Sequence, residues 1–290
     1  MEYLLHIIIL IGIYIILSSS LNLIAGYTGL ISIAHASFYA IGAYVVALMA
    51  LKFNTPLILN VPSAILFAAI IGFIIGTPSL RIHGDYFVIV TFAFQILTFT
   101  VLKNWISLTR GALGLPGIPQ PKLLGFEISS LTSFLALTAA LCALTLLILY
   151  RITHSPYGRI LEAIREDEVF SQSIGKNVSR YKISVFVLGA GLASIGGSLY
   201  AYYISFIDPS SFTVMESIFI ISIVIIGGAG RFAGPILGAI VLVMLPELLR
   251  FLGLPASIAA NVRQILYGAL LVAFMIWRPQ GFIGKYTFNN

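Results

Sequence analysis

Ionisable side chains are what this chain has least of: only 9% of its 290 residues are Asp, Glu, Lys or Arg, against about 25% in an ordinary soluble domain. With 59% hydrophobic residues and a mean hydropathy of +1.05, that scarcity excludes a soluble fold. The single cysteine, Cys142, lies inside the apolar run 131–150, so neither a disulfide framework nor a cysteine metal site is available. His6, His35, His83 and His154 are scattered without an i, i+4 pair, and the spacing of a metal site is missing too. No Gly-x-x-x-x-Gly-Lys-Ser/Thr run occurs. Ahead of Gly175-Lys176, Phe170 stands where the first glycine belongs, and Asn177 takes the place of the hydroxyl, so the chain has no phosphate cradle and no cofactor is expected. No Lys or Arg precedes the first apolar run, and no cleaved leader is expected.

What is present is a series of apolar runs at 3–24, 34–51, 61–77, 86–103, 131–150, 183–205, 213–229, 234–250 and 262–277. Roughly 17 to 25 apolar residues cross a bilayer as a helix, whereas barrel strands are shorter and alternate. The expected fold is therefore an all-α polytopic membrane protein in a single permease domain, 1–290, with about nine transmembrane helices (eight to ten). The net charge of +6 reflects basic residues at helix ends and in loops, where membrane orientation accounts for them without nucleic acid. The connection 151–182 carries six of them, Arg151, Arg159, Arg165, Lys176, Arg180 and Lys182. The positive-inside rule puts that loop in the cytoplasm together with the C-terminus, and alternation puts the N-terminus and the loop 104–130 outside.

Two glycine-rich segments interrupt the helical text, 22–37 and 227–235. Irregular backbone at membrane depth is tolerated only where protein buries it or a water-filled path runs beside it. The first segment is thus expected to line a translocation route through Asn22, Gly26, Tyr27, Gly29, Ser32, His35, Ser37 and Phe38. Identity between the two segments is slight, and no internal repeat is assigned. Gly189, Ala193, Gly197 and Ala201 recur at every fourth position and predict a smooth stripe for close helix packing within the bundle. An ion-coupled carrier would need ionisable groups near the bilayer centre. Asp85 reads as a helix N-cap, and Glu216 and Glu247 fall in outer turns from which their carboxylates reach the interface, so that class is poorly supported. Ser32, His35 and Ser37 lack a nucleophile elbow and an orienting carboxylate, which argues against catalysis.

The cytoplasmic loop is the best-specified element. Ser155 can cap, Pro156 suits a first helical position and Gly175 can terminate, so 156–174 predicts one or two short helices. Ile160, Leu161 and Ile164 share a face; Val169, Phe170, Ser173 and Ile174 form a second stripe. So structured and charged an element on an otherwise apolar chain suggests a handle for another protein.

The whole chain resembles the LivM-type permease subunits of ABC importers for branched-chain amino acids. The resemblance is carried by Leu21–Gly29, Ala34–Phe38, Gly84–Phe87, Leu108–Ile118, Ser155–Arg159, Ala163–Glu168 and Ile226–Gly230, in that order along almost the full length. Arg110 stands where that pattern has a glycine. The resemblance implies a prokaryotic inner-membrane importer with four kinds of part: this chain, a second LivH-like permease, two cytoplasmic ABC ATPases and an extracytoplasmic binding protein. It also implies that 157–175 is a coupling element on the ATPases, with Tyr157, Gly158, Arg159, Glu162, Ala163, Arg165, Glu166, Asp167 and Gly175 in that role, and that 104–130 meets the binding protein. Importers of urea and related small amides resemble the same family.

Overall fold

The computed structural model describes residues 2–80, 85–123, 126–250, 265, 268–274, 276–278 and 280–283. Among the described residues, six helices are long and apolar enough to cross a membrane: α1 (Glu2–Thr28), α2 (His35–Phe53), α3 (Leu57–Ser79), α4 (Asp85–Asn104), α6 (Leu131–Thr153) and α9 (Val178–Ile204). A one-turn helix, α5 (Ile106–Thr109), follows α4, and α7 (Pro156–Glu166) and α8 (Glu168–Ser173) fill the loop after α6. Two shorter apolar helices close the described bundle, α10 (Val214–Gly227) and α11 (Gly234–Arg250). The protein is an all-α polytopic membrane protein. Of the expected run 262–277, residues 265, 268–274, 276 and 277 are described and are helical; the others lie outside the described residues, as does the side chain of Asp85, with which α4 begins.

Helices α1 and α9 are mostly enclosed by their neighbours, while α3, α4 and α6 turn most of their surface outward. In a bilayer that contrast is the expected one, since lipid chains solvate Leu66, Phe67, Ile70 and Ile74 of α3 as well as a protein core would. Close approach at the centre depends on missing side chains. A Cβ on Gly197 would lie 2.0 Å from the carbonyl oxygen of Tyr39 in α2, and one on Gly42 of α2 would lie 2.3 Å from the carbonyl of Ser194 in α9. Gly189 faces α1 instead, where a Cβ would meet Ile24 at 2.4 Å. Residues eight apart on a helix differ by about 80° in direction, so the predicted stripe serves two neighbours rather than one seam; Ala193 and Ala201 are fully buried within it.

At the end of the bundle away from α7, short strands tie the connections together. The strand β1 (Leu115–Pro116) pairs antiparallel with β4 (Phe206–Ile207), and β2 (Lys122–Leu123) pairs with β3 (Phe126–Glu127). Gly114 takes a positive φ where a Cβ would press on the Ile207 carbonyl at 2.4 Å. At the opposite end, Ser155 Oγ accepts from the Gly158 N–H, Pro156 opens α7, and Asp167 Oδ1 accepts from the Phe170 N–H at 2.8 Å to start α8. The loop therefore folds as two helices. Gly158 allows the turn out of α6, since a Cβ there would sit 2.2 Å from the Thr153 carbonyl.

Candidate functional site

The first glycine-rich segment is shorter than its sequence suggests. Helix α1 runs on through Asn22, Gly26 and Tyr27 to Thr28, and only 29–34 is irregular, beginning at Gly29 with φ +73°. Asn22 and Gly26 stay helical because they receive the second glycine-rich segment. Asn22 Oδ1 accepts from the Gly230 N–H and its Nδ2 donates to the Arg231 carbonyl, both at 3.0 Å. A Cβ on Gly26 would lie 2.6 Å from the Gly230 nitrogen. The two interruptions thus meet, and one asparagine satisfies a donor and an acceptor of the turn between α10 and α11.

Segment 29–34 then folds back into the bundle. His35, the first residue of α2, meets Ser20 (Nε2 to Oγ, 2.8 Å) eight residues before the end of α1, about 12 Å along the axis. The Ser20 hydroxyl donates to the Leu17 carbonyl at 2.8 Å, so the imidazole is assigned as the donor through Nε2. Around this helix start the freed backbone groups find side chains from two other helices. Thr91 Oγ1 accepts from the Ile33 N–H at 3.2 Å and Ser217 Oγ from the Ala36 N–H at 3.0 Å. Ser37 Oγ donates to Gln95 Oε1 at 2.7 Å, and Gln95 Nε2 donates to the Phe212 carbonyl at 2.9 Å. Ser32 Oγ accepts from the Ala34 N–H, and Phe38 packs against Phe94 and Phe186.

Ser32, His35, Ser37 and Phe38 are all but fully buried within this chain. Their expected place on the wall of a route is corrected to support of the break, because backbone groups taken out of a helix inside an apolar bundle require partners. Of the same set, Tyr27 is buried and Gly29 is exposed. Thr91, Gln95 and Ser217 were missed in the sequence; their signal was polarity isolated within apolar runs.

Glu216 requires a second correction. Tyr14 donates its hydroxyl to Glu216 Oε1 at 2.7 Å. Tyr14 lies twelve residues into α1 and fourteen from its end, about 18 and 21 Å, so this carboxylate sits near mid-span rather than at an interface. The reason is that the connection after α9 runs inward before α10 begins, carrying Phe212 to Gln95.

The loop helices are fastened as well as presented. Leu161 and Ile164 are buried, and Tyr157 shares a hydrogen bond with Ser184 of α9. Burial pushes the Tyr157 hydroxyl above its ordinary pKa. Lys182 pairs with Glu168 at 2.5 Å. Arg165 turns inward and donates from Nη1 to the Gly26 carbonyl in the last turn of α1; a cation is favoured at such a C-terminus by the helix dipole. Arg165 is therefore a fastening rather than an outward contact. Gly158 is buried and Glu162 and Ala163 are half-buried, whereas Arg159, Glu166, Asp167 and Gly175 are exposed beside Val169, Phe170 and Ile174. A cavity of about 310 Å³ lies between this element and the bundle, bordered by Gly29, Ile31, Phe87, Ile164, Arg165 and Lys182.

Comparison with known proteins finds relatives that match along most of the chain. The family described as "Branched-chain amino acid transport system / permease component" matches residues 3–275. The high-affinity branched-chain amino acid transport system permease protein LivM of Salmonella typhimurium is 36% identical over 93% of this chain and 68% of its own length. A probable branched-chain amino acid transport permease protein LivM of Methanocaldococcus jannaschii is 26% identical, covering 94% of this chain and 90% of that protein. The high-affinity permease protein LivH of Escherichia coli is 24% identical over 94% of the chain and 91% of its own length. No solved structure matches significantly. By the extent of these matches, the chain belongs to the family of branched-chain amino acid transport system permease components and is of the LivM type.

Proposed function

We propose that this chain is one of two permeases that together enclose the import path of an ABC transporter for branched-chain amino acids. In this reading it forms a single domain of nine crossings in a prokaryotic inner membrane, with 151–182 and the C-terminus cytoplasmic and the N-terminus outside. Two cytoplasmic ATPases supply the energy and an extracytoplasmic binding protein delivers the substrate to the 104–130 side. The observation that carries the reading is the form of α7 and α8. Val169, Phe170 and Ile174 are 76%, 60% and 54% exposed at the tip of an element that is otherwise anchored by buried Leu161 and Ile164. Exposed aromatic and aliphatic side chains next to Arg159, Glu166 and Asp167 suit insertion into a groove of a partner. Anchorage through Arg165 then passes a movement of the element to α1.

Alternating access follows from rigid-body rocking of packed helices. Asn22, Gly26, Tyr27 and Gly29 lie where α1 gives way to irregular backbone, beside the 228–233 turn, and we assign this junction to the moving part of the path. Ser32, His35, Ser37 and Phe38 hold it in shape. The test is Phe170→Asp and Arg159→Glu in the assembled importer. Both are expected to lower uptake while ATP hydrolysis persists, and unchanged uptake per ATP removes the docking assignment.

A further inference from the structure

Glu216 is a carboxylate to which the description above gives no use, and its place is costly. An ionisable side chain near the bilayer centre costs about 2.5–3.5 kcal/mol on insertion scales, and such groups mark substrate or ion pathways by default. Tyr14 supplies one hydrogen bond, to Oε1. The two ion pairs among the described residues, Lys122–Glu127 and Lys182–Glu168, lie elsewhere.

The surroundings suit one kind of ligand. The Tyr14 ring, whose hydroxyl holds the carboxylate, meets Phe219 edge to face at 5.1 Å. Met215 and Ile218, on the same first turns of α10, are 58% and 41% exposed, and Tyr14, Glu216 and Phe219 are half-buried beside them. A carboxylate oxygen attracts an ammonium group through charge and a charge-assisted hydrogen bond. The exposed apolar side chains alongside accept an aliphatic substituent. A small zwitterion with a branched apolar side chain presents both features a few ångströms apart.

We infer that Glu216, held by Tyr14, receives the α-ammonium group of an amino acid at mid-path, while Met215, Ile218 and Phe219 contact its side chain. The inference rests on the amino-acid importer reading and adds a contact point for the substrate on this chain. The hydroxyl of Tyr14 fixes the carboxylate orientation, and an ammonium group arriving beside it favours the ionised form of the carboxylate. An exposed flank leaves the ligand free to move on, as transport requires.

The experiment uses the complete importer in proteoliposomes, with radiolabelled leucine uptake and ATP hydrolysis measured side by side. Glu216→Gln keeps size and polarity but removes the charge; leucine uptake is expected to fall about tenfold or more while ATP hydrolysis stays within about twofold of wild type. Glu216→Asp, which keeps the charge, is expected to restore part of the uptake. If Glu216→Gln does not assemble, Glu216→Asp decides by itself: a rise of about threefold or more in ATP spent per leucine supports the site, and an unchanged ratio overturns it. Parallel loss of uptake and hydrolysis in an assembled Glu216→Gln complex also overturns it, since that pattern belongs to a structural role. Wild-type vesicles that take up no branched-chain amino acid would sink the importer reading itself, whereas normal wild-type uptake with an unchanged Glu216→Gln ratio sinks only this assignment.

Discussion

Replacing Asn22 probes the contact between the two interrupted segments most directly. In Asn22→Ala the Gly230 N–H and the Arg231 carbonyl both lose their partner, and Asn22 itself is only 3% exposed, so water does not readily substitute. The Gly230 N–H, buried and left without a hydrogen bond, costs about 1–3 kcal/mol, and the part-buried Arg231 carbonyl adds a smaller share. The cavity left by the side chain adds to this. Asn22→Asp separates the two bonds, since it keeps an acceptor for the Gly230 N–H but sets a carboxylate oxygen against the Arg231 carbonyl. It is expected to destabilise at least as much as alanine, because a buried charge is added to the lost donor. Cys142, the only cysteine and a buried one, makes the measurement practical: in a complex with cysteine-free partners, a thiol-reactive dye reports thermal opening of this chain alone. Both variants should open at clearly lower temperature than wild type and lose uptake. If either melts with wild type, the two bonds contribute nothing and the argument for a joined pair of segments fails.

Gly197→Ala should prevent close contact of α2 and α9, because the obstructing atom is the Tyr39 backbone carbonyl 2.0 Å away; assembled yield in detergent should drop sharply, while Gly117→Ala, which meets nothing within 4 Å, should lose only about 1 kcal/mol from its positive φ. Arg165→Gln should lower both thermal stability and uptake through loss of the charged bond to Gly26, worth about 1.5–3 kcal/mol. Arg159→Gln, at an exposed position, should leave the melt unchanged, and equal effects of the two substitutions would refute the inward assignment of Arg165. Exchanging Lys182 and Glu168 as a pair should restore the melting temperature lost by either single reversal, which a double-mutant cycle checks.

The apolar runs were legible because each helix has to supply about 30 Å of hydrocarbon-compatible length, and this constraint writes itself into composition. Ser155 and Pro156 were equally readable, since caps act on residues two or three positions away. The depth of Glu216 was not readable. Position within a run does not give position within the membrane here, because the chain after α9 enters the bundle before α10 starts, as the contacts of Phe212 and Tyr14 reveal. The partners of Asn22 lie more than two hundred residues away in sequence, so nothing local could identify them. Arg165 looked like a surface charge because an amphipathic pattern reports a face, whereas a long side chain chooses its own endpoint.

Asn22 and the Gly26 carbonyl are one helical turn apart on α1, and each is gripped from a different side: Arg165 holds the carbonyl, and the 228–233 turn hangs on the asparagine. A turn of α-helix is a stiff strut about 5.4 Å long. A push on the loop helices thus has a short, stiff linkage from Arg165 through α1 to Gly230. The same geometry runs in reverse, so tension at the glycine turn is felt at the tip that α7 and α8 form.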